Sequence, residues 1–291
     1  MRFPLMRRMN HTLARLAILM VAGIPLAACD TVKSLNPFDK DDKYKPEIVP
    51  VTPAEEAYND GLARSAKGDY EGAYKAFDTI NRQHPGTSWA QKSLIMQTFV
   101  AYEGARYDDS ASSAQRYIAL YPNSSDAAYA QYLLAMSYYK QVPDVTRDQT
   151  TTQRAVTAFD TLIQNYPRSE YVADAKFKVQ VVRDQLAGHE MEVGRFYLGK
   201  RNYTAAINRF RSVVANYQTT REVEEALMRL TEAYAAMGIF SEAQTAAAVL
   251  GHNFPDSSWY KDAYTLLSSK GLEPREDTGS WISTMFKGRK L

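Results

Sequence analysis

With 45% hydrophobic and 23% charged residues, a chain of 291 residues is balanced enough to fold and long enough for two ordinary domains or one repeat array. A net charge of +2 gives no reason to expect a nucleic-acid partner. One cysteine excludes an internal disulfide, so its position decides its use.

Residues 1–28 are laid out as a secretory signal. Arg2, Arg7, Arg8 and Arg15 come without any acidic residue, and residues 16–24 form an apolar run too short for a permanent membrane span. Leu26-Ala27-Ala28-Cys29 resembles the bacterial lipobox. That resemblance implies cleavage before Cys29 and acylation of its thiol and its new amine. Two or three acyl chains anchor a protein stably where one is marginal. Loss of the four Arg turns the net charge from +2 to −2. Asp30 resembles an inner-membrane retention signal of enteric bacteria, so the inner membrane stays open beside the expected outer one.

Residues 29–52 hold Pro37, Pro46, Pro50 and the mixed charges Asp39-Lys40-Asp41-Asp42-Lys43. So few apolar residues cannot offset chain entropy, and an extended tether averaging about 27 Å is expected. Leu35 and Phe38 are expected to be solvated on it.

From residue 53 onward one punctuation mark recurs: an aromatic or His, then Pro, then Ser or Thr. Its copies are His84-Pro85, Tyr121-Pro122, Tyr166-Pro167, Tyr217-Gln218 and Phe254-Pro255. Pro drives the residue before it out of the α region, and a following hydroxyl is suited to cap a new helix. Gln218, standing where Pro is missing, could let the chain run on.

Between marks lie units of about 34 residues with small residues at helix crossings and aromatics between them, the tetratricopeptide (TPR) pattern. The first unit has Gly61, Ala73 and Phe77; the second Thr98, Tyr107, Ser110 and Ala114. The third starts with Ala135 and Tyr138, but Ala155 and Phe159 arrive eight residues late, which places an insertion around residues 141–152. Such an insertion often serves as a contact surface. The fourth unit has Gly194, Tyr203, Ala206 and Phe210, and residues 169–200 before it are long enough for one extended helix despite Gly188. The fifth has Leu227, Tyr234, Phe240 and Ala243, with a capping helix over residues 257–269. The expected fold is all-α, an α-solenoid of five TPR helix pairs with a C-terminal cap. Repeats one to three occupy residues 53–168, repeats four and five with the cap residues 169–271, and a tail residues 272–291.

Catalysis is not expected. The four histidines are His11, His84, His189 and His252, and there is no HExxH, GxSxG, phosphate loop or Cys cluster. No cofactor or metal is implied. Binding remains. The inward face of the first helices carries Tyr58, Leu62, Lys92, Ile95, Phe99 and Tyr102, an apolar groove for a peptide with Lys92 for a carboxylate. In the fourth unit Arg201, Arg209 and Arg211 flank apolar positions as a second surface, with Arg209 turned outward. In the tail, Trp281, Ile282, Met285 and Phe286 form one face of a short helix that cannot fold alone. It is expected to dock on a partner, ahead of the solenoid itself or anionic lipid.

A lipobox, a Pro-rich tether and five such repeats resemble the BamD family, lipoproteins of the outer-membrane β-barrel assembly (Bam) machine. The resemblance implies a non-catalytic scaffold on the periplasmic side of the outer membrane. It implies contact with the POTRA region of BamA and with other Bam lipoproteins, and receipt of C-terminal signals of unfolded outer-membrane proteins. It also implies a BamA contact through an Asn-Arg pair, here Asn208-Arg209, and N-terminal repeats that take signals ending in Phe. A Tol-Pal adaptor shares the repeat style but has a coiled-coil segment and an ordinary signal peptide; a cell-wall enzyme on a helical scaffold would need a catalytic set.

Overall fold

A computed structural model describes residues 51–287; Cys29, the signal segment and most of the tether lie outside the described residues. Val51 falls in a separate compact unit from residues 52 onward, and the account that follows concerns the latter. Its helices are α1 (Ala54–Ala66), α2 (Tyr70–Gln83), α3 (Ser88–Glu103), α4 (Tyr107–Leu120), α5 (Ala127–Tyr139), α6 (Thr150–Asn165), α7 (Val172–Gly199), α8 (Tyr203–Asn216), α9 (Glu222–Ala236), α10 (Phe240–Asn253), α11 (Ser258–Ser268) and α12 (Trp281–Phe286). Among the described residues there is no strand. Odd-numbered helices α1 to α9 open the five units, even-numbered ones close them, α11 caps the stack, and α12 belongs to the tail.

The punctuation stops helices by one geometry. His84, Tyr121, Tyr166, Tyr217 and Phe254 all sit at C-caps with φ between −126° and −135°, each amide donating to the carbonyl four residues back. Tyr217 stops its helix like the others, so Gln218 does not let the chain run on. Starts are less uniform. Thr87 and Ser257 cap α3 and α11 as expected. Ser124 and Ser169 instead accept from the amides of Asp126 and Tyr171 in a tight turn before the helix proper, and Thr220 donates back to the Tyr217 carbonyl.

Inside a unit the first helix ends on a left-handed residue: Gly68, Ala105, Arg201 and Gly238, with Gly271 repeating the device after α11. The next amide then reaches back five residues, Asp69 to Arg64, Arg106 to Ala101, Asn202 to Tyr197, Ile239 to Tyr234 and Leu272 to Leu267. Such a closure satisfies the orphan carbonyls of a helix end. The third unit lacks it, because the inserted loop replaces it. That loop is pinned on α7: Gln185 Nε2 donates to the Pro143 carbonyl at 2.8 Å, and the His189 ring bonds the Val145 carbonyl. These two bonds brace the loop against the 28-residue helix α7.

Small residues mark the closest crossings. A Cβ on Gly61 would stand 2.7 Å from the Phe77 ring, and one on Gly194 only 2.4 Å from the Phe210 ring. Phe77, Phe159 and Phe210 are fully buried, with Ala73, Ala155 and Ala206 beside them. Opening helices touch one another from unit to unit, α1 with α3, α3 with α5, α7 with α9 and α9 with α11. Closing helices stand apart; a groove of about 860 Å³ runs between α4 and α6, floored by Gln131 and Leu134 of α5. The opening helices therefore line the inner, tighter side.

The tail corrects one expectation. It docks on the solenoid itself, not on a partner. Gln244 Nε2 donates to the Glu273 carbonyl, and the Asp277 amide to Thr245 Oγ1. Ser280 caps α12 and donates to Glu242 at 2.6 Å. Ile282 is fully buried and Phe286 nearly so, against α8 and α10. The reason is geometric: α10 has no following repeat to cover its outer side, and the apolar face of α12 does so. Gln218 completes the dock by donating to the Met285 carbonyl at 2.9 Å.

Candidate functional site

The inner face is built from side chains one or two turns apart on neighbouring opening helices. At the first end, the Tyr58 ring lies 5.5 Å from Phe77 and 5.3 Å from Trp89, and Lys92 Nζ is 5.2 Å above Trp89. Phe99 packs on this same cluster while Leu62 stays exposed. Ile95 turns instead to Leu94 and Tyr117, and Tyr102 joins the next cluster. Four of the six expected groove residues thus pack on three successive clusters, while Leu62 is exposed and Lys92 lies over Trp89. Burial raises the pKa of Tyr58 and of Tyr102.

Further along lies a denser constellation. Tyr171 stacks on Tyr132 at 4.9 Å and lies 5.4 Å from Tyr129. Tyr132 donates to Asp174 Oδ2 at 2.7 Å, while Lys178 Nζ holds Asp174 Oδ1 at 2.7 Å and sits 5.8 Å above Tyr139. Burial pushes the Asp174 carboxyl up, but the Lys178 ammonium and the Tyr132 hydroxyl outweigh it and hold the group below its ordinary value. The Tyr129 hydroxyl is pushed up to about 12, chiefly by burial, and Tyr132 rises through burial and its bond to Asp174. On the next positions of the same α7 face, Phe177 is 68% exposed and Val181 partly so. Stacked rings, a fixed carboxylate–ammonium pair and an open Phe offer a peptide both an apolar bed and one polar handle.

These residues were missing from the sequence expectation although part of the signal was present. The register that selects Tyr58 and Ile95 falls on Tyr129, Tyr132 and Tyr139 in the third unit. Asp174 and Lys178 were not recoverable that way, because α7 carries extra turns ahead of its repeat register.

The three arginines of the fourth unit are not one surface. Arg201 occupies the left-handed turn position at φ 58°. Arg209 Nη1 bonds Glu190 of α7 at 3.2 Å, beside a hollow of about 330 Å³ lined also by Asn208, Tyr197 and Ser212. Arg211 lies 4.7 Å over the Trp281 ring, holding the tail. Two residues apart on a helix is about 200° of rotation, which separates Arg209 from Arg211. Among the described residues no group of three metal-ligating side chains gathers, and no helix is long and apolar enough to cross a membrane.

Helix pairs closed by repeated turns, with an aromatic inner face, define a TPR-type α-solenoid. Residues 50–250 match the family described as "YfiO: Outer membrane lipoprotein". A Caulobacter vibrioides protein named "Outer membrane protein assembly factor BamD" is 43% identical over 231 residues, covering 79% of this chain and 76% of its own length. A Rickettsia prowazekii protein of the same name is 38% identical over 254 residues, covering 87% and 96%. Among solved structures, "Crystal structure of MamA protein" aligns with 75% of this chain and 93% of its own at 17% identity and a TM-score of 0.36. The chain belongs to the YfiO, or BamD, family of outer-membrane lipoproteins.

Proposed function

We propose that this chain is a non-catalytic scaffold of outer-membrane protein assembly, working in a Bam complex with BamA and other Bam lipoproteins. Family membership supports the role, and the relatives' printed names state it for them. The observation that carries the finer reading is the inner tyrosine cluster with its Asp174–Lys178 pair. Unfolded outer-membrane proteins would offer it C-terminal segments rich in aromatic side chains, which stack on Tyr132 and Tyr171 and reach Phe177. Lys178, already neutralised by Asp174, orients rather than attracts; Lys92 at the far end is the more available cation for a carboxylate. The BamA contact belongs on the other side, at Asn208 and Arg209 over the Glu190 hollow. Acylation at Cys29 would hold the scaffold on the periplasmic face of the outer membrane.

The test is titration calorimetry of a barrel-derived C-terminal peptide ending in Phe. Tyr132→Ala with Tyr171→Ala is expected to weaken binding at least tenfold, with Arg209→Glu leaving it unchanged while reducing BamA co-purification. Equal affinity of the double variant and the parent would refute the groove. Undiminished recovery of BamA with Arg209→Glu would refute the second contact.

A further inference from the structure

The left-handed turns provide an internal control, because the same backbone closure is filled by different side chains. The residue after the left-handed position is Asp69, Arg106 and Asn202 in the first, second and fourth units. Asp69 and Asn202 cap the next helix through the Gly72 and Ala205 amides. Arg106 binds Asp109 and lies 4.4 Å over Tyr74. In the fifth unit the position holds Ile239, which makes no side-chain cap and is 40% exposed. Met237 and Phe240 on either side are each 43% exposed. The Phe240 position is filled by Tyr70, Tyr107 and Tyr203 elsewhere, all half-buried. Three apolar side chains at one turn are thus 40–43% exposed, and the turn forgoes its cap. Nothing in the packing of the fold requires that substitution.

The neighbouring turns on the same edge differ in kind but not in sign. The opening helices α7, α9 and α11 follow one another in the stack, so their C-terminal turns share an edge. The α7 turn offers Phe196, 61% exposed, with Lys200 Nζ 5.9 Å above its ring, and then Arg201. The α11 turn offers Lys270. Basic residues at helix C-termini are expected from the helix dipole alone; an exposed Met-Gly-Ile-Phe beside them is not. Residues 199–202, 237–239 and 269–271 contain no carboxylate; beyond them Glu273 is followed by Arg275, Glu276 and Asp277, the last accepting from the Gly279 amide. Glu242, near Phe240 in sequence, is engaged by Ser280.

We propose that this edge is a lipid-surface contact, in which Met237, Ile239, Phe240 and Phe196 enter the headgroup region of an anionic membrane. Lys200, Arg201 and Lys270 meet its phosphates. Exposed apolar turns with cations on the neighbouring turns suit a deformable charged interface, where apolar insertion and electrostatic attraction add. The contact would set how the scaffold lies on the membrane surface, a task separate from any acyl anchor and from the inner groove.

The test uses residues 29–291 with Cys29→Ser, so that no acyl group contributes, sedimented with phosphatidylglycerol vesicles or with phosphatidylcholine vesicles. Partition onto phosphatidylglycerol at low salt is expected, weakening with added salt and far smaller on phosphatidylcholine. Met237→Ser, Ile239→Ser and Phe240→Ser combined are expected to lower the partition at least tenfold. Ile239→Asp restores the cap seen at Asp69, so it is safe for folding, and it is expected to lower partition at least threefold with unchanged helicity. Parent and variants partitioning alike, or a parent that stays off phosphatidylglycerol vesicles, overturns the proposal. So does concentration-dependent dimerisation that Ile239→Asp abolishes, which would make the edge an interface between copies.

Discussion

Gly194→Ala isolates the contact on which the fourth unit depends. Gly194 is buried in the last two turns of α7, where an added Cβ would stand 2.4 Å from Phe210 Cε1 and 2.8 Å from Cδ1. Ordinary contact needs about 3.4 Å or more, so α7 and α8 must separate by roughly an ångström or the ring must leave its rotamer. Phe210 is fully buried among Ala187, Met191, Ala206 and Leu227, so the ring has no empty space to enter. Overpacking of this kind costs about 1–3 kcal/mol. Replacing Gly by Ala in a helix returns about 0.8–1 kcal/mol through backbone entropy. The net expectation is a loss of about 1 kcal/mol, on the order of 2–4 °C in Tm for a body this size. Gly199→Ala is the control, since nothing lies within 4 Å of its Cβ. It ends the same helix and is expected to be neutral or slightly stabilising. Thermal melts followed by circular dichroism compare the two, and amide exchange in α7 and α8 locates the loss, because repeat arrays need not unfold as one unit. Phe210→Leu on the Gly194→Ala background is expected to recover part of the stability, a coupling that a double-mutant cycle measures. If Gly194→Ala proves as stable as Gly199→Ala, the tight crossing is not what holds these helices in register. Separation of α8 from α7 would also lengthen the Arg209–Glu190 pair, linking the packing to the second contact surface.

Alkaline pH should weaken the inner face. The Tyr129 hydroxyl is held up to about 12 by burial, against about 10 when unfolded, so its contribution is intact below pH 10 and lost as pH rises toward 12. Tyr129→Phe is expected to flatten the fall of Tm between pH 10 and 12; an unchanged slope would count against the assignment. The tail gives a separate test. Gln218→Ala removes the bond to the Met285 carbonyl, and Trp281→Ala removes the ring beneath Arg211. Each is expected to cost about 1 kcal/mol and to raise protease cleavage within residues 272–287, while a tail that stays protected in both would refute its docking through these contacts.

The repeat register was legible because it depends on local chemistry. Pro after an aromatic ends a helix whatever surrounds it, and Gly61, Gly194, Phe77 and Phe210 carry their packing roles in size alone. Even Tyr129 and Tyr132 lay in the register that picks out Tyr58. Tertiary structure decided what depends on partners distant in the chain. Asp174 acquires Tyr132 from another helix, and Arg211 acquires Trp281 from the tail. Gln218, which in sequence looked like a missing stop, proves to be a hydrogen-bond donor to a segment 67 residues away. Residue type and spacing set where each helix begins and ends. Which surfaces are already occupied depends on long-range packing, and that is why the tail, expected to dock on a partner, lies on α8 and α10.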